Sequence, residues 1–174
     1  MDIKENIASS FMNLAIKEHA SKIPVKQICE AAHISRTTFY KYFKDVYDVI
    51  EYIIKQDAMQ TLDLYVKNRC SGQMIMANWF ASFYAHKNFY RIAITESGQN
   101  SFFETVLSLI EEYNIVVFKP LIKDEQELAY CAYKYSALQV MLLRKWILDG
   151  MKISPEELAH IHMKDYLRLK FTDG

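Results

Sequence analysis

The chain has 174 residues, 51% of them hydrophobic and 24% charged, enough apolar material for a substantial core. Its 21 basic and 21 acidic residues cancel, so it is not a globally basic nucleic-acid coat, and three scattered cysteines make no disulfide framework. No apolar run reaches membrane-spanning length and the start, M-D-I-K-E-N, has no signal-peptide core, so a soluble cytoplasmic protein that enters no membrane is expected.

Only four glycines and three prolines occur, nearly all where elements would end, and β-type alternation is scarce, so an all-α fold is expected. A first helix is predicted from Ile3 to His19, with Ile3, Ile7, Phe11 and Leu14 on one stripe. Two short helices follow within Val25 to Phe43, V-K-Q-I-C-E-A-A-H-I-S-R-T-T-F-Y-K-Y-F. Val25, Ile28 and Cys29 share a face, and Ala31 and Ala32 let another helix approach closely. His33 stands where the chain must reverse, a position that favours positive φ. Ile34 anchors the turn, and Ser35 is an N-cap whose hydroxyl can accept a backbone N–H of the next turn. Phe39 and Phe43 bury together, which leaves Arg36, Thr37, Tyr40, Lys41 and Lys44 outward, with Thr38 and Tyr42 at the flanks. A short helix with such donors fits a DNA major groove.

A fourth helix runs from about Val46 to Asn68, burying Val46, Val49, Ile50, Ile53 and Ile54 first. It passes from the small module into the remainder with no flexible linker, and the break comes only at Cys70-Ser71-Gly72. A fifth holds Met76, Trp79, Phe80, Phe83 and Tyr84; a sixth spans Phe89 to Glu96, ending near Gly98; a seventh spans Ser101 to Phe118, before Pro120. The last two carry capping signals, Asp124 with Glu127 and Ser154-Pro155 with Glu157, and Gly150 ends the eighth. Helix eight, about Glu125 to Asp149, is apolar almost all round from Leu138 to Leu148, so it must be covered on several sides. A second copy of the chain, or a central place in a monomer core, would each supply that cover.

Charge sharpens the reading. From Lys22 to Lys44 five basic residues (Lys22, Lys26, Arg36, Lys41, Lys44) face one acid, Glu30, whereas residues 45–174 hold 14 basic and 17 acidic residues, a net of −3. Positive potential is therefore concentrated in the small module. Trp79, Phe83, Tyr113, Tyr133 and Met141 are candidates to line a pocket between the later helices, although aromatics at helical spacing serve equally as plain core. Catalytic chemistry finds no support. Four glycines leave no phosphate-cradling loop, and Glu111-Glu112 and Glu156-Glu157 read as solvated or capping pairs. His160 and His162, two apart, fall on different helix faces, so no metal and no cofactor is expected.

The string Thr38-Phe39-Tyr40-Lys41-Tyr42-Phe43 closes the helix-turn-helix in the T-F-Y-x-x-F pattern, and the chain resembles the TetR/AcrR family of transcriptional regulators over roughly Ile3 to Ile54. Beyond that the likeness lies in the helical layout and in the helix end Trp146-Ile147-Leu148-Asp149-Gly150. Three positions depart from the family pattern: His33 replaces the turn glycine, Pro24 a phosphate-binding threonine, and Val46 a lysine, with Lys44 and Lys26 as substitutes. The resemblance implies a three-helix DNA-binding domain, residues 1–46, joined by a long helix to a helical ligand-binding and dimerisation domain, residues 47–174. It further implies a homodimer formed through helices at about 125–149 and 154–170, a palindromic double-stranded operator, and a small-molecule effector that releases a repressor. In the alternative, the larger domain binds a partner protein and the output is activation. Expected DNA contacts are Lys26, Ser35, Arg36, Thr37, Thr38, Tyr40, Lys41, Tyr42 and Lys44, with Arg36 reading guanine, Thr37 and Thr38 touching thymine methyls or base edges, and the tyrosines and lysines holding phosphates.

Overall fold

The computed structural model describes residues 2–17, 23–67, 72–96 and 99–169, with side chains of 59–67, 92–96, 99–102 and 165–169 left aside. The predicted reach of the first helix to His19, the charge of Lys22, the Cys70-Ser71 break, the stop near Gly98 and residue 170 lie outside this range.

Among the described residues the chain forms nine α-helices and no strand: α1 Ile3–Ala15, α2 Val25–Ala32, α3 Arg36–Tyr42, α4 Val46–Lys67, α5 Gly72–Ala85, α6 Lys87–Glu96, α7 Gln99–Phe118, α8 Glu125–Leu148 and α9 Pro155–Leu169. The all-α expectation holds, with adjustments at the ends. α1 stops at Ala15, and its buried stripe is Ile7, Ala8, Phe11 and Ala15, while Ile3 is exposed and Leu14 only half-buried. α6 begins at Lys87 and α7 at Gln99, each two residues earlier than periodicity suggested, because their first two residues, Lys87-Asn88 and Gln99-Asn100, are polar and carry no apolar signal.

Local capping starts several helices. Asp2 caps α1, its N–H donating to Glu5 Oε2 at 3.2 Å in a reciprocal box. Glu127 N–H donates to Asp124 Oδ1 at 2.8 Å before α8, and Glu157 N–H to Ser154 Oγ at 3.1 Å before α9. α8 ends with Gly150 at φ 84, where Met151 N–H reaches Trp146 O at 2.8 Å. Gly72 opens α5 against α9, a β-carbon there meeting Met163 Cε at 3.2 Å.

The first three helices close over Ile7, Phe11, Ile28, Cys29, Phe39 and Phe43, and the start of α4 adds Val49, Ile50 and Ile53. Asn6 Nδ2 donates to Ala32 O at 2.8 Å, tying α1 to the end of α2. The small core meets the rest through α1 and α6, with Phe11 edge-on to Phe89 at 5.9 Å. In the larger part α5 packs mainly on α9 and α4, and α7 on α8. Phe80 meets Trp146 at 5.7 Å, Tyr84 stacks on Trp146 at 5.8 Å, and Trp146 Nε1–H donates to Ile153 O at 3.0 Å. Between α7 and α8, buried Asn114 donates through Nδ2 to buried Ser136 Oγ at 2.8 Å, and that hydroxyl donates to Ala132 O at 2.7 Å. No helix among the described residues is long and apolar enough to cross a membrane.

Candidate nucleic-acid interface

α2 ends in a left-handed turn at His33, φ 54 and ψ 44. His33 N–H reaches Glu30 O at 3.3 Å and Ile34 N–H reaches Cys29 O at 2.9 Å, the paired bonds of a helix end normally built on glycine. Ile34 then turns back onto the core, as expected. Ser35, extended at φ −78, caps α3 by accepting Thr38 N–H at 3.0 Å, and its hydroxyl also bonds the Thr38 hydroxyl at 2.9 Å.

Burial of Phe39 and Phe43 pins one side of α3, Phe43 packing at 5.5 Å against Tyr52 of α4. The opposite side presents Arg36, Thr37, Tyr40 and Lys41 together, all exposed; Tyr40 is 57% exposed and edge-on to Phe39. Tyr42 is exposed at the flank, whereas Thr38 is half-buried. Lys44 follows the helix, and Lys26 projects from α2 with Glu30 3.8 Å away. Seven residues at about 1.5 Å each make α3 a rod of about 10 Å, short enough to enter a groove about 12 Å wide end-on or aslant. Burial pushes the Cys29 thiol up, with the positive charge of Arg36 as the opposing influence.

Two features here lie beyond the sequence reading. Tyr47, in the first turn of α4, is 62% exposed beside Lys44. Lys44 N–H donates to Asp48 Oδ2 and Asp48 N–H to Asp45 Oδ1, both at 3.0 Å, so these carboxylates occupy the start of α4. The Asp45-x-x-Asp48 spacing at a helix start was the available signal for the second.

The five residues expected to line a pocket do not converge. Trp79 and Phe83 sit in the core with ring centroids 5.1 Å apart, and Tyr113 is half-buried on α7. Tyr133 and Met141 are 51% and 53% exposed on the outer side of α8. A cleft of about 370 Å³ instead opens between α1 and the α5–α6 corner, lined by Ser9, Met12, Asn13 and Ile16 and by residues 85–89.

A pinned three-helix unit that exposes a cationic, hydroxyl-bearing helix, carried on an all-helical body, defines a helix-turn-helix DNA-binding regulator. Residues 71–164 match the TetR-type family model described as a transcriptional regulator C-terminal region, and residues 3–46 match the helix-turn-helix domain of resolvase. The chain belongs to the TetR family of transcriptional regulators. Among curated proteins none matches it by sequence. Solved structures share the fold. The dihydroxyacetone kinase operon activator DhaS is 21% identical with a TM-score of 0.72, the match covering 96% of this chain and 95% of that one. A TetR-family regulator from Syntrophomonas wolfei str. Goettingen is 18% identical at a TM-score of 0.65, covering 96% and 94%. A TerR/AcrR-family regulator from Aquifex aeolicus VF5 is 19% identical at 0.63, covering 98% and 100%.

Proposed function

We propose that this regulator is a homodimeric repressor that reads a palindromic operator and is released by a small-molecule effector. Residues 1–46 form the reading domain and 47–174 the dimerisation and effector domain. The outward face of α3 carries this reading: Arg36, Thr37, Tyr40 and Lys41 stand exposed together on a helix whose reverse side is held by Phe39. In it Arg36 bonds guanine O6 and N7, and Thr37 touches a thymine methyl or a base edge. Thr38, with its hydroxyl engaged by Ser35, offers its methyl group. Tyr40, Tyr42, Lys41, Lys44 and Lys26 hold phosphates and fix register, while Ser35 keeps the helix start in place.

A rod of about 10 Å buries too little surface for tight binding alone, so two copies about one helical turn of DNA apart, or a multiple of that, are called for. The outer side of α8 supports pairing: Tyr130, Tyr133, Leu138, Met141 and Leu148 are all exposed, joined by Ile161 of α9. An apolar stripe of this kind is a docking surface, and a second α8 covers it symmetrically.

The test is selection of bound fragments from random DNA, repeated with Arg36→Ala and Lys44→Ala. Lost preference at one base for Arg36→Ala and uniform weakening for Lys44→Ala support the roles; a wild-type protein that enriches no sequence refutes them. Sedimentation of Leu138→Asp/Met141→Asp should give half the wild-type mass, and an unchanged dimer rules out the α8 stripe.

A second reading has one specific observation behind it. Trp79 and Phe83 fill the core against each other and Tyr133 and Met141 face outward, which suits a larger domain that answers a partner protein, with activation as output. DNA binding assayed with the low-mass and the macromolecular fractions of a cell extract separates the two inputs. Release by the low-mass fraction supports the effector, and a response to the macromolecular fraction alone supports the partner.

A further inference from the structure

Asp57 lies midway along α4 with its side chain buried, 2% of the residue exposed. A carboxylate taken out of water needs strong partners, and two converge on one of its oxygens. The Tyr90 hydroxyl of α6 donates to Oδ2 at 2.5 Å, and His86 Nδ1–H donates to the same atom at 2.8 Å. His86 is the single residue between α5 and α6, its own N–H bonded to Phe83 O at 3.2 Å and its carbonyl accepting Tyr90 N–H at 3.1 Å. The carboxylate of α4 thus fastens the corner where two further helices meet.

The other side of that corner faces α1. The cleft between them gives solvent access to His86, whose side chain is 36% exposed, while Tyr90 is fully enclosed. Since α1 also touches α6 through Phe11 and Phe89, the corner is part of the joint between the DNA-reading core and the rest of the chain. Among the described residues the charged and titratable groups facing His86 are Asp57 from α4 and Tyr90 and Lys87 from α6, and Lys87 Nζ stands 4.7 Å over the Tyr84 ring. α1 contributes only uncharged Ser9, Met12, Asn13 and Ile16.

We propose that His86 is a proton-operated clasp: charged, it pairs with Asp57 and locks the α5–α6 corner to α4; neutral, it slackens the joint and lowers affinity for DNA. The inference rests on the DNA-reading function above. A slack joint spreads the reading helices of a dimer over many separations, of which the operator accepts one, so only a fraction of molecules stays competent. Tyr90 remains the constant fastener, because burial among apolar groups, together with the charge of Asp57, pushes its hydroxyl well above the usual phenol range. His86 is the variable one. Its hydrogen bond to Asp57 raises its pKa above the ordinary imidazole value, outweighing the burial that lowers it. With the folded pKa raised, the added hold is complete below about 6.5 and fades as pH climbs through the elevated value.

The experiment measures binding by fluorescence anisotropy to a duplex enriched from random DNA, at constant ionic strength and at pH of about 6, 7 and 8. His33 is a second imidazole, exposed beside α3, so the comparison is made in a His33→Asn background, with and without His86→Gln. The single variant should lose roughly three- to tenfold in affinity from the acid to the basic end, each unit of pKa difference between locked and slack joint giving tenfold. Adding His86→Gln should flatten the profile at the weaker level, and equal slopes in the two proteins overturn the clasp. Thermal melting without DNA separates this failure from failure of the DNA-reading function. The melting gap between wild type and His86→Gln should be open in acid and close toward the basic end, and a gap independent of pH overturns the clasp even if no duplex is bound. Should His86→Gln fail to fold, imidazole NMR of the wild-type chain decides: one histidine must titrate above the ordinary range and hold its Nδ1 proton, and the absence of any histidine raised in this way overturns the inference.

Discussion

Replacing His33 by glycine should stabilise this chain. His33 holds φ 54 and ψ 44, and its side chain is exposed, so little packing is lost with it. A left-handed conformation costs an L residue roughly 1–2 kcal/mol, toward the lower end for histidine, one of the types enriched there. Glycine removes that strain but adds roughly 0.5–1 kcal/mol of freedom to the unfolded chain. The balance is a gain of up to about 0.5 kcal/mol, at the low end of such backbone effects. For a chain of this length that corresponds to a rise of up to about 2 °C in Tm. His33→Ala keeps the β-carbon and should gain nothing, while His33→Val, with a branched β-carbon, should lose about 1 kcal/mol or more. Urea unfolding followed by circular dichroism, at fixed protein concentration and one fixed pH, reads all three. A stability order with Gly below Ala would refute the strain argument.

Three further outcomes follow from the geometry. Ser35→Ala removes the acceptor for Thr38 N–H, should cost about 1 kcal/mol by urea unfolding, and should weaken DNA binding as well, because α3 has only seven residues to lose order from. Trp146→Phe leaves Ile153 O without its donor, and a loss of about 1 kcal/mol in the same assay is expected; no loss would mean that water replaces the indole N–H. If each subunit neutralises about three to five phosphates, log affinity should fall against log salt with a slope of about −5 to −9, and a slope near zero would contradict a cationic α3 against a duplex.

The reading module was legible because its signals are local. Ser35 caps within three residues, His33 and Ile34 reverse the chain within one turn, and Phe39 with Phe43 defines the buried side of α3. The larger part was legible only as helices. Where apolar residues surround a helix, as on α8, periodicity loses its phase, and Met141 and Tyr133 could not be distinguished from inward-facing Val140 and Leu143. On α1 the small side chain of Ala15 takes the core position that size alone would give to Leu14. Asp57, His86 and Tyr90 had no signature at all, because the carboxylate meets its donors across 29 and 33 residues of chain. Only packing of α4 against the α5–α6 corner creates that set.

The hydrogen bond from Asn114 to Ser136 sets how α7 and α8 can move. Sliding one helix along the other by a turn would strand a primary amide in an apolar seam, a penalty larger than thermal agitation supplies. The bond therefore favours joint movement of the two helices over slippage. Because α7 also rests on α4, a push delivered on the outside of α8 has a packed route to α4.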